Sequence, residues 1–505
     1  MSSPALPGIV RNTFWLALGV LVSRLLTLIV IRKMTPVLGT SGMGIWAWAA
    51  DVTAIALVVM NYGLDQLITR ETLRQPGSVR GILWSALRVR WVLALICFAI
   101  LFAYVAGTGK EPLARAAMLI TAAAVFFESS ALACDATLQA RDRFGVQTFS
   151  QLVSAVFFVV AVFWSLDAGH GLMGIVWSNF FSRLVRLIVV GTWLAVTVAR
   201  TPGQADAGAP IHGVSWALRT GWPVFLSTTF GIVFFKIDIA MLTEMVGQAE
   251  TGIYFLGHRA LDYLYLVPHL LATALFPALT RRAAEGRDQL IDLSEKSLRY
   301  TMLITVTVTL LTMLVAKPLI AFFDPAGAFG ESVGVLRLVI WGMPFMTMHL
   351  VLSRVLLVAE RERDFIPIAL VTMVIGIGAN LLLIPRYSYT GAAAASVFSL
   401  AVSAGLHVFY CRRAGLAVPL LRALAGSIFG VVAAWAVVVL IGRFVFPGWE
   451  LHWTALPDDL GWGPSLAVMV FWLALIPPVV LGLRVATLEG VRQLVGVVTG
   501  ARHRL

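Results

Sequence analysis

What constrains this chain most is the recurrence of apolar stretches of about twenty residues along its whole length. Each is long enough to cross the roughly 30 Å hydrocarbon core of a bilayer as an α-helix. About fourteen can be counted by length and apolar content: 13–34, 43–66, 81–106, 113–138, 146–167, 171–198, 217–243, 250–276, 298–323, 332–358, 365–385, 390–411, 421–443 and 464–484. With 59% of the 505 residues hydrophobic and 13% charged, the chain cannot cover a water-exposed surface. Nothing in it shows the ten-residue polar–apolar alternation of a transmembrane barrel. The expected fold is an all-α polytopic membrane protein with about 14 transmembrane helices. No soluble domain fits between the spans.

Charge placement orients the spans. If the N-terminus is cytoplasmic, the inner loops hold Arg70, Arg74 and Arg80; Arg141 and Arg143; Arg200; Arg281, Arg282, Arg287 and Lys296; Arg361 and Arg363; Arg412, Arg413 and Arg422. The tail adds Arg484, Arg492, Arg502 and Arg504, whereas the outer loops hold scattered cations such as Lys33, Lys110 and Lys317. This positive-inside bias puts both termini in the cytoplasm. It also accounts for most of the formal charge of +12 without a nucleic-acid partner. The start, "MSSPALPGIVRNTFW", lacks a cleavage pattern, so the first helix is expected to be retained. Cys97, Cys134 and Cys411 fall in or at the end of apolar segments and read as buried small hydrophobes rather than a disulfide framework or metal set. No metal or cofactor is expected.

The two halves align at a constant offset of 208 residues, as in Thr35 and Thr243. "TPVLGTSGMGIWAWAADV" lies over "TEMVGQAETGIYFLGHRA", with Gly39 over Gly247 and Gly44 over Gly252. Six spans separate the copies, so both keep one orientation, the arrangement of parallel transporter repeats.

Charges inside the spans point to function. Asp51, Asn61 and Asp65 share one face of the second span, and Arg259, His269 and Thr273 are their counterparts in the eighth, with Asp262 adding to the stripe. Asn179, Arg183 and Arg186 repeat the pattern in the sixth, and Arg24 sits near the centre of the first. A charge at mid-bilayer costs about 2.5–3.5 kcal/mol on insertion scales, so these stripes should face protein or water. Two such helices facing each other across a cleft would satisfy them. Arg219 and Arg354 lie close enough to cytoplasmic helix ends to snorkel, and Asp65 and Asp135 read as interfacial. Arg24, Arg183 and Arg259 lie deeper, where they either line a cavity or join structural ion pairs such as Asp51–Arg259 or Arg259–Asp262. In "FFKIDIAML", Lys236 and Asp238 are about 200° apart on a helix and must satisfy different neighbours. Lys236 either snorkels outward or faces a cavity.

The motifs resemble the polysaccharide flippases of the multidrug/oligosaccharidyl-lipid/polysaccharide (MOP) exporter superfamily over nearly the whole chain. "LVSRLLTLIVIRKMTPVLGTSGMGIWA" is similar to the family's opening, and "FFKIDIAMLTEMVGQAETGIYFLGHRALDYLYLVPHLLATALFPALTRR" to its seventh and eighth helices. "ANLLLIPRYSYTGAAAASVFSLAVSA", with Asn380, Pro385 and Gly391, resembles the eleventh–twelfth hairpin. "LQARDRF" and "LLVAERERDF" are similar to the basic ends of the fourth and tenth helices. The resemblance implies two six-helix lobes (1–198 and 217–411) around a central cavity, a cytoplasmic linker (199–216), and two appended C-terminal helices with a tail (412–505). It implies a bacterial cytoplasmic (inner) membrane and a polyprenyl diphosphate-linked glycan carried outward by alternating access. It further implies H+, Na+ or membrane potential as the driving force, and a polysaccharide polymerase and assembly proteins as partners. A diphosphate losing its hydration needs cations, and arginine suits multidentate phosphate contact. Arg24, Arg183, Arg186, Lys236 and Arg259 are the candidate diphosphate- and glycan-binding residues. Asp51, Asn61, Glu128, Asn179, Asp238, Asp262, His269 and Asn380 are the candidate ion-coupling or cavity polar residues.

Rival readings leave a smaller footprint. A lipid II flippase would match Arg24 and Arg259, but that branch's pattern in the second span is missing, which favours a capsule, exopolysaccharide or O-antigen repeat unit. A multidrug/cation antiporter of the same superfamily would favour an acidic cavity, and the deep cations here outnumber such acids. A glycosyltransferase or polymerase would need outer-loop carboxylates or a large outer loop, and "MTPVLGTSG" supplies neither. No nucleophile–base, metal-ligand or phosphate-loop pattern stands out, so no enzyme is expected.

Overall fold

Proline placement sets where several helices of this chain stop. A proline has no N–H to give the carbonyl four residues before it. In the computed structural model α8 ends at Leu264, four residues before Pro268; α10 ends at Leu314, four before Pro318; and the break after α12 includes Ile340, four before Pro344. The spans read as continuous over 250–276, 298–323 and 332–358 are therefore each two helices in succession. The pairs are α8 (Gln248–Leu264) with α9 (Leu266–Glu285), α10 (Arg287–Leu314) with α11 (Ala316–Phe323), and α12 (Ser332–Val339) with α13 (Gly342–Val358).

The structure describes residues 6–74, 78–199 and 214–421, together with 423, 424 and 436. Among them every regular element is a helix. The chain opens with α1 (Leu6–Asn61), α2 (Leu64–Arg74), α3 (Val79–Gly107), α4 (Pro112–Ala140), α5 (Phe144–Asp167), α6 (Gly171–Ala199) and α7 (Val214–Met245), and α14 (Phe365–Arg413) closes the described part. Among the described residues ten helical segments are long and apolar enough to cross a membrane. Two of them, Leu18–Arg74 and Glu362–Arg413, each hold two expected spans, separated by non-helical backbone at Gly39 and at Ser388. The thirteenth and fourteenth expected spans lie outside the described residues. The protein is a multi-pass membrane protein.

Two units divide the chain, Met1–Gly252 and Ile253–Leu505. In the first, Met60, Ala94, Leu101, Ala122 and Val125 form a buried cluster from α1, α3 and α4. In the second, Leu275, Leu279, Leu290, Leu352, Val355 and Ile368 do the same for α9, α10, α13 and α14. Small residues and hydroxyls let membrane helices approach closely. The buried face of α10 is such a strip: Ser294, Ser297, Thr301, Thr305, Thr309 and Thr312. Large apolar side chains such as Leu95, Trp164 and Leu382 point outward, as a lipid-facing surface requires. Cys97, Cys134 and Cys411 are buried free thiols.

The internal repeat is visible in the backbone. Gly39 and its counterpart Gly247 both have positive φ, +63° and +149°, which side chains resist. Thr35 and Thr243 each return a hydroxyl hydrogen bond to an isoleucine carbonyl one turn earlier, Ile31 and Ile239, at 2.7 and 2.8 Å. Where the copies cross, a Cβ on Gly44 would strike the carbonyl of Gln248, and a Cβ on Gly252 the carbonyl of Thr40. These contacts are equivalent at the 208-residue offset, and both obstacles are backbone. Gly44→Ala and Gly252→Ala are each expected to cost about 1–3 kcal/mol by overpacking. Thermal unfolding of the purified variants in detergent checks this; an unchanged midpoint in both would show that the crossing relaxes freely.

Candidate functional site

Burying a charge in a membrane helix demands a partner, and α4 supplies carboxylate partners for the arginines of α6. Glu128 and Asp135 both face α6. Arg186 reaches both, Nη1 donating to Glu128 Oε1 and Nη2 lying 2.5 Å from Asp135 Oδ2. Arg183, one turn earlier, points Nη1 at Glu128 Oε2 at 3.5 Å and donates Nε to Asn179 Oδ1 at 2.7 Å. Next along α4, the Ser129 hydroxyl donates to Asn61 Oδ1 at 2.9 Å. The Ser129 carbonyl accepts from Arg90 of α3, whose other Nη donates to Asp65 of α2. Four expected site residues, Glu128, Asn179, Arg183 and Arg186, thus converge on one polar network, and Asn61 is held to α4 beside it through Ser129.

A second cluster joins α1 and α7. Lys236 Nζ sits 3.0 Å from Asp51 Oδ1 and 3.2 Å from Oδ2, with Asp51 buried and the lysine side chain 21% exposed. Asp238, two residues on, is buried, and its carboxylate accepts the Ile239 N–H at 2.8 Å. The third cluster belongs to the second unit, on α8. Arg259 Nη1 lies 3.3 Å from Asp262 Oδ2, and His258 Nδ1 lies 3.6 Å from the other carboxylate oxygen. The Arg259 guanidinium also packs 5.4 Å from the centre of the Phe255 ring, within cation–π range.

Of the remaining expected residues, Arg24 is half-buried on α1 and His269 is exposed on α9. Asn380 is buried on α14, and its side-chain oxygen has no hydrogen-bond partner there. Asp135 is 1% exposed within the protein, where α6 brings Arg186 to it. Arg354 packs its guanidinium over Phe276 at 5.8 Å, with Nε buried.

Sequence reasoning missed Arg90, which is fully buried although it lies among the basic residues of "ALRVRW". It also missed the edge-to-face pair His349–His407, centroids 4.5 Å apart and tied to Ser403. A third omission is the Lys110–Glu244 bridge (2.9 Å), which Tyr104 joins. Arg90 carried a signal, its position a full turn and more inside an apolar helix. The histidines carried none beyond their residue type.

Many apolar helices with paired charges within them define a polytopic integral-membrane protein. Comparison with known proteins agrees. The family model described as Polysaccharide biosynthesis protein matches residues 9–282, more than half of the chain. The chain belongs to that family, within the MOP superfamily of flippases and exporters. A second model, Lipid II flippase MurJ, matches residues 265–456. Among solved structures, the lipid II flippase MurJ in an inward closed conformation is 13% identical with a TM-score of 0.70, covering 95% of this chain and 99% of that one. An inward-facing multidrug resistance MATE family transporter of the MOP superfamily is 15% identical with a TM-score of 0.65, over 80% and 98%. A MOP superfamily transporter from Pyrococcus furiosus, described as having a binding pocket of reversed polarity, is 16% identical with a TM-score of 0.54, over 81% and 95%. At these identities the likeness is one of fold. No curated protein matches the chain. The families matched are transporters and flippases, not enzymes.

Proposed function

We propose that the protein moves a polyprenyl diphosphate-linked oligosaccharide repeat unit from the cytoplasmic to the outer face of a bacterial cytoplasmic membrane. One observation carries the reading. Arg183, Lys236 and Arg259 lie on membrane helices with a carboxylate beside each, yet their side chains remain 29%, 21% and 30% exposed. They can therefore give a guanidinium or ammonium to a diphosphate that has left water, while the carboxylates keep the empty protein neutral. Arg24 adds a fourth cation, and Arg186 acts from behind Glu128. Residues 1–198 and 217–411 are the two six-helix lobes of this reading, joined by a cytoplasmic linker at 199–216, although α7 packs within the first compact unit, Met1–Gly252. Residues 412–505 supply helices 13 and 14 and a tail, and both termini are cytoplasmic. Exposure of the cations to one face and then the other moves the head group, driven by an ion gradient or the membrane potential. Asp51, Asp238, Asp262 and Glu128 are the candidates for coupling.

Lipid II is the second reading, favoured by the MurJ model's match over residues 265–456. Cells depleted of the protein separate the two. A completed oligosaccharide repeat unit on polyprenyl diphosphate, identified by mass and found on the cytoplasmic face, is the expected accumulation. Accumulation of lipid II instead would favour the second reading, and unchanged lipid-linked glycans would overturn both.

A further inference from the structure

Charge balance around Glu128 carries an inference that rests on the diphosphate reading. Glu128 and Asp135 lie seven residues apart on α4, two turns along one face. Both bind Arg186, whose side chain is only 8% exposed. The second oxygen of Asp135 is buried without a hydrogen-bond partner. When ionised, these three groups sum to one negative charge. Arg183 cancels it from 3.5 Å, held in orientation by Asn179. Of the four, Arg183 is the one most open to solvent.

The other helices packed on α4 leave that sum unchanged. α2 and α3 present Asp65 and Arg90, which pair with each other. α1 presents Asn61, and α5 presents Gln147, bonded to Gln139. Cys134 is the neighbour of Asp135 in the chain.

We propose that an anion binding at Arg183 draws the guanidinium from Glu128, and that the Glu128–Asp135 pair then takes up one proton. Once a phosphate oxygen occupies Arg183, Arg186 is left between two carboxylates in surroundings that water barely reaches. Two carboxylates sharing one cation resist joint ionisation and titrate as a pair. The proton comes from water at the exposed side of Arg183. One O–H bond forms on a carboxyl oxygen, and no bond of the diphosphate breaks. The linkage has a fixed sign: anion binding favours protonation, so lowering the pH strengthens anion binding. Glu128 thereby acts as an exchangeable counter-ion, while Arg186 and Asn179 are the fixed frame.

Calorimetric titration of the full-length protein in detergent micelles with farnesyl diphosphate, in buffers of different ionisation enthalpy, tests this. The wild type is expected to take up about one proton more per diphosphate than Glu128→Gln, and to lose up to about tenfold in affinity per unit rise in pH where the pair titrates. The diphosphate's own ionisation is common to both proteins and cancels in the difference. Glu128→Gln is expected to bind at least as tightly as wild type, with only the pH dependence of the diphosphate's own ionisation. Asp135→Asn removes the same charge from the other side of Arg186 and is expected to behave alike. Wild-type binding with no extra proton, or full uptake in both variants, would overturn the inference while leaving the diphosphate reading standing. Failure of the wild type to bind farnesyl diphosphate would overturn both.

Discussion

Arg186→Ala is expected to lower the unfolding free energy by about 3–5 kcal/mol, the usual cost of removing one partner from a buried ion pair. The change leaves Glu128 and Asp135 together on α4, seven residues apart and without the cation that both bind. Neither can reach water easily, since their side chains are 15% and 2% exposed. Arg183→Ala, one turn away, is expected to cost no more than about 1 kcal/mol, because that side chain is part-exposed and its contact with Glu128 is long. Thermal or denaturant unfolding of the purified proteins in mixed micelles measures both. The control is Arg186→Met with Glu128→Gln and Asp135→Asn, which removes all three charges together. Replacing a buried ionic cluster by neutral groups of similar size is often harmless, so the triple variant should recover most of the loss. If Arg186→Ala unfolds like the wild type, the cluster is wet, and Arg186 becomes a substrate contact rather than the frame behind one.

The class of fold was legible in the sequence because a bilayer leaves few choices. Backbone polar groups in lipid must be satisfied within a helix or closed barrel, so twenty-residue apolar runs mean helices. The repeat was legible for a related reason. Gly39, Gly44, Gly247 and Gly252 stand where side chains would collide or strain the backbone, and the 208-residue offset survives at those positions. Helix breaks at Pro268, Pro318 and Pro344 went unread, since a proline in a membrane helix produces anything from a slight kink to a stop, depending on its neighbours. The site was legible as residue types but not as partnerships. Hydropathy marks Arg183, Arg186, Lys236 and Arg259 as costly, and the cost says only that something compensates them. Arg259–Asp262 could be paired by eye because both lie on one helix. Lys236 with Asp51 spans 185 positions, and Arg186 with Glu128 and Asp135 spans 58 and 51; such pairings depend on which helices pack together. Arg90 carried its signal about three turns inside α3, but the run of arginines at Arg80, Arg88 and Arg90 masked it.

Lys236→Met is expected to lower transport by about 10–100-fold, which corresponds to losing a charge-assisted contact worth about 1.5–3 kcal/mol. Transport is read from lipid-linked glycan appearing on the outer face of cells that carry only the variant. On its own this loss is ambiguous, because the lysine also joins α7 to α1 through Asp51. The charge-swapped protein, Lys236→Asp with Asp51→Lys, separates the two roles. It keeps an ion pair between the helices and should regain the thermal stability lost in the single variant. The cation, however, now projects from α1, several bonds from where a diphosphate would meet it on α7. Transport is therefore expected to stay low while stability recovers. Recovery of both would assign Lys236 to holding the helices together and leave Arg183 and Arg259 to carry the anion. Recovery of neither would mean that the swapped pair does not form, and Lys236→Arg then decides. A guanidinium at the same position keeps the charge on α7 and should support transport if that charge contacts the diphosphate. The role of a lysine within the apolar helix α7 thus reduces to which anion it serves, the resident carboxylate of Asp51 alone or the substrate that displaces it.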